Sequence, residues 1–224
     1  MAKIFIFGTR WYVQRVAGRA GPRGEYAKTA RRREEILDAA FDVFSQSGYL
    51  NSTLSEIAKQ AGMTMPGLTH HFATKAVLLE AVLRERDIDA GRLLKDRHGV
   101  DLLNGLLTIA ARDEADPTLT QLYTLLSAEA TSEDHPAHQF FQDRYTLILE
   151  TVTRALEEAA ERGDLREGIE PAAAAQMYAA LSDGLQLQRL YRTGGEPHVV
   201  LIRSFLASLV TPRALDILHA PTPA

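Results

Sequence analysis

Thr64, Thr69, His70 and His71 fall within eight residues, with Thr53 upstream and Lys75 downstream. Hydroxyls, imidazoles and an ammonium in so short a span are groups that hydrogen-bond anions and the polar edges of bases. His70 and His71 are neighbours, so on a helix their side chains point about 100° apart and do not chelate one ion together. No catalytic, metal or cofactor site is expected: G-x-S-x-G, the phosphate-cradling P-loop and H-E-x-x-H are all missing, and nothing positions a Ser/His/Asp triad. Zero cysteines remove disulfides, thiolate nucleophiles and Cys-based zinc sites, which suits a reducing cytoplasm.

Those six residues need scaffolding, and the apolar spacing supplies it. Ile36, Ala39, Ala40, Val43 and Phe44 recur at helical intervals, predicting a first helix from about Thr29 to near Gly48. Thr53 and Glu56 form a T-x-x-E capping box for a short second helix with Leu54, Ile57, Ala58 and Ala61 inward. Gly62-Met63-Thr64 makes a tight turn, Thr64 caps a third helix to about Phe72, and Pro66 is tolerated in its first turn. Thr74 then caps a fourth helix, residues 74–96. Two short helices about a three-residue turn match helix-turn-helix geometry, in which the second enters a major groove. A helix with only Leu68 and Phe72 as anchors is too weakly apolar to exist for core packing alone.

The charge distribution agrees. The net charge is −4, but residues 1–95 carry 15 Lys/Arg against 10 Asp/Glu, while residues 96–224 carry 10 against 19. A basic front end can approach phosphates while an acidic body stays off them. Residues 1–28 read as a flexible basic arm. It either lies along a DNA backbone or is a leader ahead of the folded protein, and the second is favoured because Ile4–Phe7 has no apolar partner. No apolar run is long enough for a membrane span.

Residues 31–90, about a quarter of the chain, resemble the DNA-binding domain of the TetR family of regulators. Arg-Arg-Glu-Glu-Ile-Leu-Asp-Ala-Ala-Phe-Asp-Val-Phe, Thr-Leu-Ser-Glu-Ile-Ala, Ala-Gly-Met-Thr, Gly-Leu-x-x-His-Phe and Thr-Lys carry the likeness, in order. The resemblance implies that Thr53 and Lys75 bond phosphates at helix N-termini, where free N–H groups favour anions. It also implies that Thr64, Met65, Pro66, Gly67, Thr69 and His70 face bases or flanking phosphates, with His71 nearer the backbone. Relatives usually carry Tyr where this chain has Thr69, and no Arg, Asn or Gln in the third helix offers bidentate base contacts. Met65 remains for thymine methyls, and readout should lean partly on DNA shape.

The remainder reads as helix over 99–113, 117–131, 136–162, 171–192 and 197–210, separated by Asp, Gly and Pro breakers. The fold class is therefore all-α: a helix-turn-helix domain over 29–75, a linking helix over 74–96, a helical ligand-binding and dimerisation domain over 97–213, and a frayed tail over 214–224. Helix 171–192 has two apolar rows, Ala174, Tyr178, Leu181 and Leu185, and Met177, Ala180, Gly184 and Leu187. It can face its own core and a partner at once. In the family outline the last two long helices form a homodimer's four-helix interface, which points to Met177, Ala180, Gly184, Leu187, Gln188, Ile202, Phe205 and Leu209. Tyr123, Phe141, Tyr145 and Tyr178 are ligand-pocket candidates, because phenols give apolar walls with a polar tip, although such a residue is more often simple core. His135 and His138 sit beside Glu133 and Asp134, but Pro136 between them favours a solvated helix cap over a metal site.

The expected function is a cytoplasmic, homodimeric transcriptional regulator, most commonly in this family a repressor, released from a palindromic double-stranded operator by a small-molecule effector. The competing class is a helical small-molecule-binding protein or enzyme with a vestigial helix-turn-helix. A purely structural bundle fits neither the charge asymmetry nor the short polar helix.

Overall fold

The computed structural model describes residues 23–192 and 194–219, and all the secondary structure among them is helical apart from one isolated antiparallel bridge, Leu165 to Val210. The expected basic arm lies outside the described residues up to residue 22. The chain divides into two compact units, residues 1–92 and 93–224.

In the first unit, α1 spans Arg23–Ser47, α2 Leu54–Gln60, α3 Met65–His71 and α4 Lys75–Leu94, whose last two residues belong to the second unit. Helix α1 starts six residues before the expected Thr29. The sequence Arg-Gly-Glu-Tyr-Ala-Lys shows no recurring apolar spacing, so periodicity does not register it. Ile36, Ala40 and Phe44 on α1 are fully buried, as are Ile57 on α2, Leu68 on α3 and Leu78 and Leu83 on α4. Gly62, at φ +63°, makes the α2–α3 turn, a conformation that costs an L-residue about 1–2 kcal/mol.

The second unit holds α5 (Gly99–Ala115), α6 (Pro117–Glu129), α7 (His138–Glu161), α8 (Pro171–Leu190) and α9 (His198–Leu209). A 3₁₀ turn, Pro212–Ala214, and a short α10, Leu215–His219, follow. Its core gathers Leu103, Leu107, Val152, Leu156, Ala175, Tyr178, Ile202 and Leu206 around the α7–α8 seam. Predicted boundaries agree within about two residues, as end fraying allows. The expected frayed tail is corrected in part: Ala214 and Leu218 are completely buried, so 214–219 closes the core rather than leaving it. Pro212 starts that turn, and Leu218 is the anchor that a search for long periodic segments passes over.

Two polar ties fix the helix ends. Arg189 Nη1 lies 2.9 Å from Glu114 Oε1 and its Nη2 donates to the Glu114 carbonyl at 2.6 Å, joining the ends of α5 and α8. At the other end of α5, the Gly99 N–H donates to Glu158 Oε2 at 2.9 Å. No described helix is long and apolar enough to cross a membrane.

Candidate nucleic-acid interface

The helix-turn-helix is assembled from caps. The Thr53 hydroxyl accepts from the Glu56 N–H at 3.2 Å, and Glu56 Oε2 accepts from the Thr53 N–H at 2.8 Å and from its hydroxyl at 2.9 Å. This is the expected capping box, closed on itself. Both Thr53 donors are thereby taken, so a phosphate there must displace the Glu56 carboxylate. Thr64 accepts from the Gly67 N–H at 3.3 Å, and its own hydroxyl proton has no acceptor among the described residues. A side chain at Gly67 would come within 3.3 Å of the Met63 methyl and the Thr64 oxygen, so its first effect is to let the cap close.

Helix α3 lies with Leu68 fully buried and Phe72 at its C-terminus 1% exposed. Thr64, Met65, Pro66 and His70 are exposed, and Gly67, Thr69 and His71 are half-buried. The Thr69 hydroxyl turns back to the carbonyls of Met65 and Pro66, both at 3.2 Å. It therefore leaves its methyl, rather than a donor, as the outward group, which sharpens the departure from a tyrosine at this position. Burial, then the charges of His70, Arg33 and Arg32, hold the His71 imidazole below its ordinary pKa of 6.5.

Lys75 was expected to reach a phosphate. In the folded chain its ammonium donates to the carbonyls of Tyr49 at 2.6 Å and Ser52 at 2.7 Å, and lies 4.2 Å from the Tyr49 ring centroid. These bonds tie the α1–α2 loop to the start of α4. The sequence did not signal this clamp, since it joins residues 23 and 26 positions apart. At the same helix start the Val77 N–H donates to the Thr74 hydroxyl at 3.2 Å, so Thr74 caps α4 as expected.

Residues 36–82 match the family model "Bacterial regulatory proteins, tetR family", and residues 101–211 match "BetI-type transcriptional repressor, C-terminal". The chain belongs to the TetR family. Among relatives of this TetR-family chain is the HTH-type transcriptional repressor KstR2 of Rhodococcus jostii, 27% identical over 212 residues, covering 89% of this chain and 97% of that protein. SmeT in its complex with triclosan matches at TM-score 0.68 and 24% identity, over 87% of this chain and 100% of that one. FadR from Bacillus subtilis, in complex with stearoyl-CoA, matches at TM-score 0.66 and 23% identity, over 80% and 97%. Both structures establish the all-α fold, and the protein is a DNA-binding transcriptional regulator of the TetR family.

In the second unit of this TetR-family protein the four aromatic candidates draw together on α6, α7 and α8. Tyr123 and Phe141 meet edge to face at 6.3 Å, and the Arg144 guanidinium stacks 4.5 Å over Tyr123. The Tyr145 hydroxyl donates to Asp183 Oδ2 at 2.8 Å. Tyr178 is buried; desolvation, ahead of nearby Asp113 and Asp183, pushes its phenol up to about 12. Burial and then Asp183 do the same to Tyr145, also to about 12. Asp113 and Arg144, both half-buried, were not anticipated, because a charge inside a helical run reads as a solvated face until packing covers it, whereas Asp183 stays exposed. Asp113 is raised chiefly by burial, against the opposing effect of Arg112, whose Nε and Nη2 lie 3.3 and 3.2 Å away.

The interface candidates divide. Met177 is 60% and Leu187 46% exposed; Ala180 and Gln188 are exposed, and Gly184 has open space where a Cβ would stand. Ile202 and Leu209, at 4% and 6%, lie in the protomer's own core and are withdrawn as interface residues. Phe205 is partly buried against that core, and Val200, Ser204 and Ser208 are the exposed residues of α9. Helix α9 turned the other way because its periodicity supports two stripes, and only the packing on α5 and α8 selects one.

His135 corrects the solvated-cap expectation. It is 6% exposed, and its Nδ1 accepts from the Ala137 N–H at 3.1 Å, leaving the proton on Nε2, which faces Glu129 Oε2 at 3.6 Å. His138 Nδ1 lies 2.8 Å from the Ala130 carbonyl. The pair stitches the α6–α7 loop internally.

Proposed function

We propose that this protein is a cytoplasmic homodimeric repressor that holds a palindromic operator through α3 and is released by a small amphipathic effector in its second unit. The exposure of Thr64, Met65, Pro66 and His70 on a helix with a single fully buried residue carries the reading. Such a helix contributes little to its own core and offers hydroxyl, thioether and imidazole groups to a groove. Thr53, Gly67, Thr69, His71 and Lys75 flank it as backbone-facing positions.

Two subunits joined through the exposed row of α8 would set their α3 helices about one DNA turn apart, roughly 34–36 Å. The effector is expected among Tyr123, Phe141, Tyr145 and Tyr178, where aromatic walls carry polar tips. Triclosan in SmeT and stearoyl-CoA in FadR are apolar bodies with polar groups, chemistry that such walls also suit. Coupling has a covalent route: α4 begins at Lys75 and ends at Leu94, which packs on the second unit's core. Effector and DNA then weaken each other's binding by the same factor.

Footprinting the purified protein on the DNA flanking its own gene tests this. A protected inverted repeat, lost as salt rises and lost again on effector addition, is the expected result. A protein indifferent to duplex DNA in dilute salt is not a repressor.

A further inference from the structure

Three consecutive arginines open the apolar stripe of α1, and they are not equivalent. Arg31 Nε and Arg32 Nη1 both contact Glu35, at 3.2 and 2.7 Å. Arg33 is exposed and has no carboxylate partner among the described residues. Its guanidinium instead lies 4.3 Å from the centroid of the Phe72 ring, at the C-terminal end of α3. Stacking engages the face of a guanidinium and leaves its five N–H donors in the plane, pointing away around the edge. The ring fixes the position of the cation without using up its hydrogen bonds.

We infer that Arg33 is a DNA-phosphate contact, which extends the nucleic-acid interface from α2, α3 and the start of α4 onto α1. The inference rests on the regulator reading above and adds a residue to it. Phe72 is the last anchor of α3, so any element stacked on it moves with the recognition helix. Arg33 also lies close enough to His71 to hold that imidazole's proton affinity down, which places both groups at one corner. A bidentate fork held at that corner suits a phosphate's paired oxygens. Lys75 contrasts with it: its ammonium already holds two backbone carbonyls, whereas the edge of Arg33 is open. Structural cover for Phe72 alone would be met by any apolar residue, and would not need a charge.

The test is the salt dependence of binding to a mixed-sequence duplex DNA, measured by fluorescence anisotropy with the full-length protein. Arg33→Gln should lower the slope of log K against log salt by about 0.9 for each protomer engaged. Arg33→Lys should keep the wild-type slope because the charge remains, and Arg31→Gln, whose residue is already paired, should keep it as well. A melting curve on each variant separates loss of Phe72 cover from loss of a phosphate contact. If Arg33→Gln retains the wild-type slope, however much its affinity or melting temperature falls, Arg33 is only a cover and the inference is wrong. If the wild type shows no salt-dependent binding, the regulator reading falls and this inference falls with it.

Discussion

Helices α2 and α3 are seven residues each, and α8 and α9 are 20 and 12. The short pair is fixed from within: Thr53, Glu56, Gly62 and Thr64 close its ends with bonds spanning three or four positions. The long pair has no side-chain cap at either N-terminus and is held by burial of one face, with Met177 and Leu187 left outward on α8. Local chemistry therefore determines where α3 is and which way it faces, whereas the orientation of the long helices is decided by their neighbours. Substitutions in the two places should fail differently.

The largest effect is expected from the inward row. Leu209→Ala empties a site in the second unit's core and should cost about 2–5 kcal/mol of folding stability, read from chemical denaturation, with the association state of the folded fraction unchanged. Leu187→Asp, 46% exposed on the outward row of α8, should do the reverse. It should shift sedimentation towards monomer and abolish operator binding while leaving the far-UV spectrum helical. If Leu187→Asp stays dimeric, the outward row of α8 is not the interface.

A smaller effect belongs where α4 meets α5. A Cβ at Gly105 would come within 2.9 Å of Leu94 Cδ2, on the last residue of α4, and of Arg97 Cδ just beyond it, so Gly105→Ala must displace those two side chains. Overpacking of this kind costs about 1–3 kcal/mol. Operator affinity should change along with stability, although residue 105 lies far along the chain from α3. A variant with shifted stability and wild-type affinity would mean that the end of α4 does not transmit. Smaller again is Thr64→Ala, which removes the α3 cap for about 1 kcal/mol and should weaken DNA binding more than it lowers the melting point of the second unit.

The same division explains what was legible in the sequence. The helix-turn-helix could be read residue by residue because caps, turn glycine and spacing are near-neighbour signals, and each fixes a hydrogen bond seen in the fold. The Lys75 clamp on Tyr49 and Ser52 was not legible, since the lysine's position at a helix start fits a phosphate and a carbonyl equally well. Ile202 and Leu209 were misplaced for a related reason: a helix with apolar residues on both sides does not say which side is inward. Asp113 looks like a solvent-facing charge until the fold half-buries it beside Arg112, and Leu218 was lost in a terminal segment too short to show a period.

The smallest predicted effect is one of pH, and its sign differs between folding and binding. His71 is held below its ordinary value of 6.5 by burial and by His70, Arg33 and Arg32. In the folded protein it therefore takes up a proton later than in the unfolded chain, so its contribution to stability is present above pH 6.5 and declines as pH falls through that value. A DNA phosphate beside it offsets the neighbouring cations and raises its proton affinity, so binding is accompanied by proton uptake. Operator affinity should then strengthen, by less than about tenfold, as pH falls from 7.5 to 6, while thermal stability drops slightly over the same range. His71→Gln should flatten the binding trend, with His198→Gln as the contrast: that imidazole is lowered mainly by burial in the second unit, and removing it should alter only the stability trend. Equal pH dependence of binding in wild type and His71→Gln would move His71 from the DNA-facing corner to a purely structural place beside Arg33.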